Sequence, residues 1–353
     1  MRTNITVAFI DILQKIMRNG THIITRGNEQ TEILSQLLTI THPNERVIVL
    51  KHRKNNIFAL IAETMWVLGG RNDMKFLSRY LPRAVEFSDD GRVWRAAYGP
   101  RLRNWNGIDQ FKEIAKMINE DHNTKRATMI IFDPQRDFVA TKDVPCNNWL
   151  HFMERNGRLH LNVAVRANDA VWGFGGINSF EWSILQEMMS FWTNNDIGIL
   201  SWFVGTFHVY SRHYSTSKKI LDAYQNKTLY DFGIGSPVFS TQLDNFDDVL
   251  KEWFRIEEKM RTLADPVIFY EIQSFTDELL RNSLEMLYIY NRYLNQASQE
   301  EIIELIEQLP TNDFKIAAIE YFSRIYGEDS FNLVGAEQYF FEYYWHDHVF
   351  EAL

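Results

Sequence analysis

One cysteine, Cys146, is the residue of this sequence that is best suited to nucleophilic chemistry. Pro145 precedes it and Asn147-Asn148 follow it, which predicts a polar turn where a thiol stays partly exposed. Positive charge stabilises the thiolate, the reactive form of cysteine, and Arg166 lies at the end of the next β-type run. Because a lone cysteine is more often inert and buried, the hypothesis depends on these neighbours.

Glu63 is a candidate acid or base. It lies in an apolar helical stretch, residues 61–66 (IAETMW), where loss of hydration raises the pKa of a carboxyl towards the range that proton transfer requires. The same surroundings suit a buried salt-bridge partner equally well. Local sequence therefore leaves both roles open.

Basic and histidine residues form two further groups of candidates. Arg26 and the pair Lys125-Arg126 suit an anion, although ordinary surface charge explains such residues more often. His208 and Tyr210 are two apart on a β-like run and therefore point to the same side. Since neither a carboxylate nor a cysteine lies near this histidine in the sequence, no metal site is predicted.

A β-hairpin is predicted around Cys146 and Arg166. Two β-type runs, residues 148–154 and 158–166, flank Asn156-Gly157, and this dipeptide is the strongest short signal for a hairpin turn. In the second run the odd-numbered leucines and valines share an apolar face. Arg166 therefore lies on the opposite face.

Several helix starts are also indicated. Asn178 or Ser179 is predicted to cap the helix that follows a loop over residues 169–177. Further along, Ser298 with Glu301 has the spacing of a capping box, and Asn312 is suited to cap the next helix. The C-terminal part of the chain is therefore predicted to be helical.

The order of these elements indicates the fold class. β-type runs and helical stretches alternate irregularly up to about residue 240, which predicts an α+β fold. From about residue 245 the chain is helical and acidic. We divide it into a catalytic domain, residues 1–264, and a C-terminal helical extension, residues 265–353, whose expected role is structural.

Composition excludes several classes of protein. The 353 residues include 37 Lys+Arg and 46 Asp+Glu, and the net charge of −9 has the wrong sign for a general binder of nucleic-acid polymers or anionic membranes. One cysteine excludes a disulfide scaffold and a Cys-rich zinc site. The N-terminal segment favours an amphipathic helix over a signal peptide, and no run of 18 apolar residues occurs, so a cytoplasmic location is predicted.

Seven segments, taken in this order, resemble the thymidylate synthase family. They are AETMWVLGG with Glu63, AAYGPRLR with Tyr98, Lys125-Arg126, Pro145-Cys146, RAND from Arg166, Asn178, and GTFHVY with His208 and Tyr210. They span roughly residues 15–240. Seven matches in one order are far more specific than any one of them, and they favour a catalytic Cys146 over an inert one.

The resemblance implies a fold, two substrates and a partner. The fold would be a large twisted mixed β-sheet at the interface of a homodimer, with phosphate-site residues shared between subunits. The substrates would be a pyrimidine nucleoside 5′-monophosphate and 5,10-methylenetetrahydrofolate, with no metal. Cys146 would add to C6 of the pyrimidine, and Glu63 would be the acid or base.

The resemblance also implies binding roles. The nucleotide would contact residues that match the family's phosphate, sugar and base positions, namely Arg26 and Arg166 from one subunit, Lys125 and Arg126 from the other, and Ala167, Asn178, His208, Tyr210 and Tyr98. The folate would contact Asp169, Trp66 and Arg53.

Four positions depart from typical thymidylate synthases, where Ser, Arg, His and Asp stand in place of Ala167, Lys125, Asn147 and Thr206. The Trp-rich segment is replaced by residues 84–88 (AVEFS), and the end of the chain does not resemble the family's closing apolar tail. A less closed site favours capture of the one-carbon intermediate by water rather than hydride. The chain therefore resembles the nucleotide hydroxymethylase branch.

The identity of the nucleotide stays open. Lys125 with Ala167 resembles the CMP hydroxymethylases, which favours CMP, or dCMP, as the substrate. Asn178 points the other way, because asparagine suits uracil, and a thymidylate synthase or hydroxymethylase acting on dUMP is the alternative. More remote alternatives are an inactive nucleotide-binding module and a cysteine hydrolase that pairs Cys146 with His208 or His213.

Overall fold

One mixed sheet organises the catalytic part of the chain. The computed structural model describes residues 1–262 and 267–345. Within them, six strands lie in the order β1-β2-β6-β5-β4-β3, in which β5 and β6 are parallel and all other neighbours are antiparallel. The strands are β1 Thr21–Thr25, β2 Asn28–Ile40, β3 Thr128–Ile130, β4 Asn147–Arg155, β5 Arg158–Asp169 and β6 Asp196–Tyr210. The predicted α+β class is confirmed.

Helices cover one face of this sheet and form the C-terminal part of the chain. Their bounds are α1 Ile5–Asn19, α2 Ile57–Leu68, α3 Met74–Tyr80, α4 Tyr98–Arg103, α5 Gln110–Glu120, α6 Pro134–Asp137, α7 Ser179–Trp192, α8 Tyr214–Ala223, α9 Leu243–Thr262, α10 Val267–Gln273, α11 Glu278–Leu294, α12 Gln299–Glu307, α13 Asp313–Tyr326 and α14 Gly335–Trp345. Helices α1 and α7 pack on the sheet. No helix in the described ranges combines the length and apolar character needed to span a membrane.

The predicted hairpin is confirmed as β4 and β5. Arg155 pairs with Arg158, and the two residues between them, Asn156 and Gly157, have φ of 55° and 71°, as a type I′ turn requires. The odd-numbered leucines and valines of β5 are buried, and Arg166 is exposed on the other face. The turn and the alternation together set this register.

An apolar row crosses the face of the sheet that α1 and α7 leave open. Register pairing aligns Leu37, Phe203, Ala164, Trp149 and Ile130 across five strands. Leu37 is 61% exposed, Ile130 50% and Phe203 43%. A contiguous apolar strip of this kind is typical of a surface that another protein covers.

The C-terminal helices support the helix that carries Glu63. Phe58 of α2 stacks on Tyr290 of α11 at 4.7 Å between ring centroids, and it makes edge contacts with Tyr321 and Phe322 of α13. Buried residues of these helices belong to the same apolar cluster as the sheet. Their packing is therefore continuous with the core beneath Glu63.

Two of the predicted helix caps are present in the C-terminal helices. The Ser298 hydroxyl accepts the backbone N–H of Glu301, and Asn312 accepts two N–H groups in the first turn of α13. The Glu301 carboxylate does not complete the capping box, because it pairs with Arg292 of α11. Tertiary contact thus outweighs the local reciprocal bond. The proposed boundary at residue 264 lies outside the described residues.

The predicted cap of α7 is wrong. Residues 170–178 form a wide helical turn that runs into α7, and Asn178 itself has helical φ and ψ and makes no capping bond. The cap lies earlier, at Asp169, whose carboxylate accepts the N–H groups of Val171 and Trp172. Because residues 170–178 are largely helical, the unpaired N–H groups of a helix start occur after Asp169 and not after Asn178.

A buried ion pair joins α7 to the segment before α2, and we expect it to matter for stability. Glu187 pairs with Arg46, and its other oxygen accepts the Phe239 N–H at 2.8 Å. Glu187→Ala would leave a buried guanidinium uncompensated, so urea denaturation should show a loss of about 3–5 kcal/mol. The control, Glu258→Ala in the exposed pair with Lys75, should cost about 1 kcal/mol or less. Equal losses would contradict the prediction.

Candidate active site

Arg166 holds the segment that carries Cys146. Its guanidinium donates from Nε to the Pro145 carbonyl at 3.0 Å and from Nη2 to the Val144 carbonyl at 2.7 Å. Its backbone N–H donates to the Cys146 carbonyl at 2.9 Å. Cys146 directly precedes β4 and is partly exposed, as predicted. The hairpin therefore places a cation beside the thiol.

The surroundings of Cys146 nevertheless disfavour the thiolate. Burial raises its pKa, and Asp143 raises it further, whereas Arg166 and Arg26 lower it. The predicted effect of Arg166 thus has the right sign, but desolvation outweighs it. Activation of the nucleophile requires a further change on binding or a proton acceptor.

Glu63 is partly buried on α2, close to other carboxyls. Burial raises its pKa to about 8, and the negative charge of Asp143 adds to the shift. Glu181 of α7 lies near enough that Glu63 raises its pKa as well, after burial. At neutral pH Glu63 is therefore protonated, and the shift of its pKa has the direction that its apolar surroundings predict.

Asn147 links Tyr98 to the core beside Cys146. Its side-chain Nδ2 donates to the Tyr98 hydroxyl at 2.8 Å, and its Oδ1 accepts the Trp182 indole N–H at 3.1 Å. Burial raises the pKa of Tyr98 well above its usual value. In the sequence Asn147 stands out only as a departure from the family pattern, and no local signal indicates the bridge because Tyr98 and Trp182 are distant along the chain.

Parallel strands β5 and β6 bring a second group of predicted residues together. Ala167 pairs with Thr206 and Asp169 with His208. The rings of His208 and Tyr210 are 5.0 Å apart, so the two side chains do share a side. Burial lowers the pKa of His208, and its Nδ1 is buried without a partner. A neutral imidazole is thus available for a ligand.

Asn178 lies beside a second amide. It is 7% exposed and hydrogen-bonds the carboxyl of Glu181. A Cβ atom at Gly173 would lie 2.1 Å from Oδ1 of Asn168, so glycine is needed for this approach, and 3.5 Å from Oδ1 of Asn178, which is ordinary contact. Nδ2 of Asn168 is buried without a partner. Asn168 is a candidate that sequence analysis did not select.

The basic residues fall into two separate groups. Arg26, at the β1–β2 turn, influences the pKa of both Cys146 and Tyr210, so it lies on their side of the molecule. Lys125 and Arg126 are exposed before β3, whose register places Arg126 opposite the far end of β4. Seven residues of strand separate that point from Cys146, a distance of roughly 20 Å. One phosphate cannot contact both groups within a protomer.

Two residues with predicted folate roles make contacts within the protein. Trp66 is 2% exposed and donates its indole N–H to the Asp73 carbonyl at 3.0 Å. Arg53 is buried and donates from Nη2 to the carbonyls of Val171 and Gly175, and burial lowers its pKa to about 10. Arg53 thereby shapes the turn over residues 170–178. The folate role of both residues stays a prediction.

Two aromatic side chains near predicted site residues keep an exposed face. Trp172 is 44% exposed, three residues after Asp169, and Phe87 is 43% exposed and stacks on Trp94. Among the described residues, no group of three His, Cys, Asp or Glu side chains is arranged to hold a metal ion. In the same ranges no hydrogen bond joins Cys146 to an imidazole, which removes support for a cysteine hydrolase.

Comparisons with known proteins agree with this geometry. The thymidylate synthase family model matches residues 7–257. A deoxyuridylate hydroxymethyltransferase of Bacillus phage SP01 is 28% identical over 92% of this chain and 93% of its own length. The deoxyuridylate hydroxymethyltransferase of Delftia phage PhiW-14 is 29% identical over 88% of this chain and 92% of its own length. That of Pseudomonas phage M6 is 28% identical over 80% of this chain and 81% of its own length.

The first of these matches extends past residue 257 into the C-terminal helices, since it covers 92% of the chain. Arg166 holds the segment of Cys146, the pKa of Glu63 is raised, and the family model spans most of the chain. Together these findings identify the family. The chain belongs to the thymidylate synthase family, the one-carbon transferases that modify C5 of pyrimidine nucleotides with methylenetetrahydrofolate.

Proposed function

We propose that this chain hydroxymethylates C5 of deoxyuridylate with methylenetetrahydrofolate as the one-carbon donor. The observation that supports the chemistry best is a carboxylate, three residues before Cys146, that acts on both Cys146 and Glu63. A single carboxylate, Asp143, shifts the pKa of both. The three deoxyuridylate hydroxymethyltransferases among its relatives support the substrate and the product.

The mechanism assigns one task to each part of the site. Cys146 adds through sulfur to C6 of the pyrimidine, which makes C5 nucleophilic. Protonated Glu63 would supply the proton that opens the folate ring and, once deprotonated, would accept the proton that leaves C5. The guanidinium groups of Arg26 and Arg166 suit the phosphate. Methylenetetrahydrofolate supplies the one-carbon unit when bound. Water then takes the place that hydride has in a thymidylate synthase.

The substrate assay decides between the candidates. The protein would be incubated with methylenetetrahydrofolate and dUMP, dCMP, CMP or UMP, and the products analysed by mass spectrometry. We expect dUMP to gain CH2O with formation of tetrahydrofolate. A gain of CH2 with dihydrofolate would make the chain a thymidylate synthase, and no product despite nucleotide binding would make it an inactive module.

Cytidylate is the second candidate, supported by Lys125 and Ala167. Asn178 supports uracil, because its amide can donate to O4 and accept from N3–H together. We therefore expect Asn178→Asp to raise the ratio of kcat/KM for dCMP over dUMP by roughly 10-fold or more, as one changed base contact allows. An unchanged ratio would mean that another residue reads the base.

A homodimer would complete the phosphate site. The apolar row on the open face of the sheet offers a surface for a second copy, and the roughly 20 Å between Arg126 and Cys146 in one protomer supports a contribution from the partner. Mixing the Cys146→Ala and Arg126→Glu variants tests this, because the mixed dimer contains one intact site. We expect about a quarter of wild-type activity at random exchange. If Arg126→Glu alone is inactive and mixing restores no activity although subunits exchange, the partner subunit does not supply Arg126 to the site.

A further inference from the structure

Asp143 is a carboxylate that the mechanism above does not use. It lies three residues before Cys146, is partly exposed, and acts electrostatically on Cys146, Glu63 and Tyr98. Trp94, which donates to Asp143, packs against Trp66 on the helix of Glu63, so Asp143 lies between the segment of Cys146 and that helix. A partly exposed carboxylate on the segment of the nucleophile is a candidate base for a water molecule.

Hydrogen bonds fix the orientation of Asp143 without neutralising it. The Trp94 indole N–H donates to Oδ2 at 2.7 Å, and the Val144 N–H donates to the same carboxylate. Trp94 is itself stacked on Phe87 and packed against Trp66. The carboxylate is therefore held in place by an indole and a backbone amide.

The hydrogen-bond partners of Asp143 differ from those of Asp137, a buried structural carboxylate. Asp137 is buried and hydrogen-bonded to both terminal nitrogens of Arg101. In the described ranges no guanidinium bonds the Asp143 carboxylate, because Arg166 and Arg95 donate to carbonyls of residues 136 and 143–145. Asp143 therefore keeps the basicity that an ion pair would remove.

Asp143 and Glu63 also lie in unequal environments. Burial raises the pKa of Asp143, but the Trp94 hydrogen bond and the charges of Arg166 and Arg95 oppose that shift. Glu63 lacks such compensation, and its pKa reaches about 8. A pair of carboxyls in unequal environments is suited to divide the acid and base roles.

We propose that Asp143 is the general base that activates the water captured by the nucleotide intermediate. This inference rests on the proposed hydroxymethylation. The water oxygen bonds to the exocyclic methylene carbon at C5, and one water proton passes to the Asp143 carboxylate. The electron pair of that double bond moves into the ring to form the C4 enolate. The enolate then expels the Cys146 thiolate from C6, which restores the C5–C6 double bond and leaves CH2OH at C5.

Asp143→Asn with azide rescue tests the proposal. The variant keeps the shape of the side chain and loses the base, so formation of the hydroxymethyl product should fall by about 10²-fold. Release of hydrogen from C5, which precedes water capture, should continue in a single turnover. Azide is already an anion and needs no deprotonation, so it should restore turnover and yield a 5-azidomethyl nucleotide.

A matched control and a second variant keep the outcome clear. Asp133 also accepts an indole N–H, from Trp105 at 2.9 Å, outside the site, so Asp133→Asn should retain activity. Trp94→Phe removes the donor that orients Asp143, and we expect a smaller loss of about 10-fold with the same azide rescue. This variant is decisive if Asp143→Asn no longer binds nucleotide.

Two results would overturn the inference. One is an Asp143→Asn enzyme that forms the hydroxymethyl product at the wild-type rate. The other is a slow variant that gives no azidomethyl product, since its block would then precede the methylene intermediate. Failure of the proposed function is distinguishable, because the wild-type protein itself would then give a methylated nucleotide or no product.

Discussion

Cys146→Ala is expected to lower turnover by about 10⁴-fold or more, because no other step compensates for loss of the nucleophile. The thiol contributes no hydrogen bond to the fold, so nucleotide affinity measured by calorimetry should change little. Product formation would be followed by mass spectrometry with dUMP and methylenetetrahydrofolate. Cys146→Ser keeps the size of the side chain, and we expect it to be nearly as inactive, because a hydroxyl is a much weaker nucleophile.

The single cysteine also allows a direct test of the thiol. Burial raises its pKa, so alkylation by iodoacetamide should be slow at neutral pH and should accelerate as pH rises and the thiolate forms. Bound dUMP should protect the thiol. An alanine variant with more than about a tenth of wild-type turnover would contradict the assignment of Cys146 as the nucleophile.

Glu63→Gln is expected to lower kcat by about 10³-fold, since it removes a proton donor and retains the shape of the side chain. The protonated form of Glu63 is the active one, so wild-type activity should fall as pH rises through about 8. Glu113→Gln, at an exposed position on α5, is the matched control and should behave as the wild type. A Gln variant with an unchanged kcat would exclude Glu63 as the proton donor.

The raised pKa of Glu63 also predicts that the stability of the folded protein depends on pH. The Glu63 pKa is about 8 in the folded protein and near 4.5 when the chain is unfolded, so the native state binds more protons between these values. The free energy of unfolding therefore falls as pH rises through this window. The Glu63→Gln variant has no carboxyl to ionise here, so its free energy of unfolding should not fall in this way. At pH 9 we expect its free energy of unfolding to exceed that of the wild type by on the order of a few kcal/mol, with little difference at pH 4. Urea denaturation at both pH values measures this, and a difference independent of pH would contradict it.

Sequence alone was sufficient where a short segment contains all the interacting groups. The Asn156-Gly157 turn and the alternation in β5 predict the hairpin, its register and the side of the sheet on which Arg166 lies. The two-residue spacing of His208 and Tyr210 likewise predicts their shared side. Turn geometry and strand pleat are local properties, so the residues themselves determine them.

Other features needed the tertiary structure. Asp143 acts on Glu63, which lies 80 residues away along the chain, and only folding brings these carboxyls together. The cap before α7 lies at Asp169 and not at the predicted Asn178, because the intervening residues are largely helical. The Asn178 side chain instead hydrogen-bonds Glu181.

By itself, the sequence determined the fold class, the family resemblance and the hairpin beside Cys146, and it predicted that this cysteine is the nucleophile. The tertiary structure decided the direction in which the pKa values of Cys146 and Glu63 shift, the separation of the two basic groups, and the support that α11 and α13 give to α2. Protonation depends on desolvation and on charges from distant segments, and packing depends on which helices meet. Neither quantity is contained in any short stretch of chain.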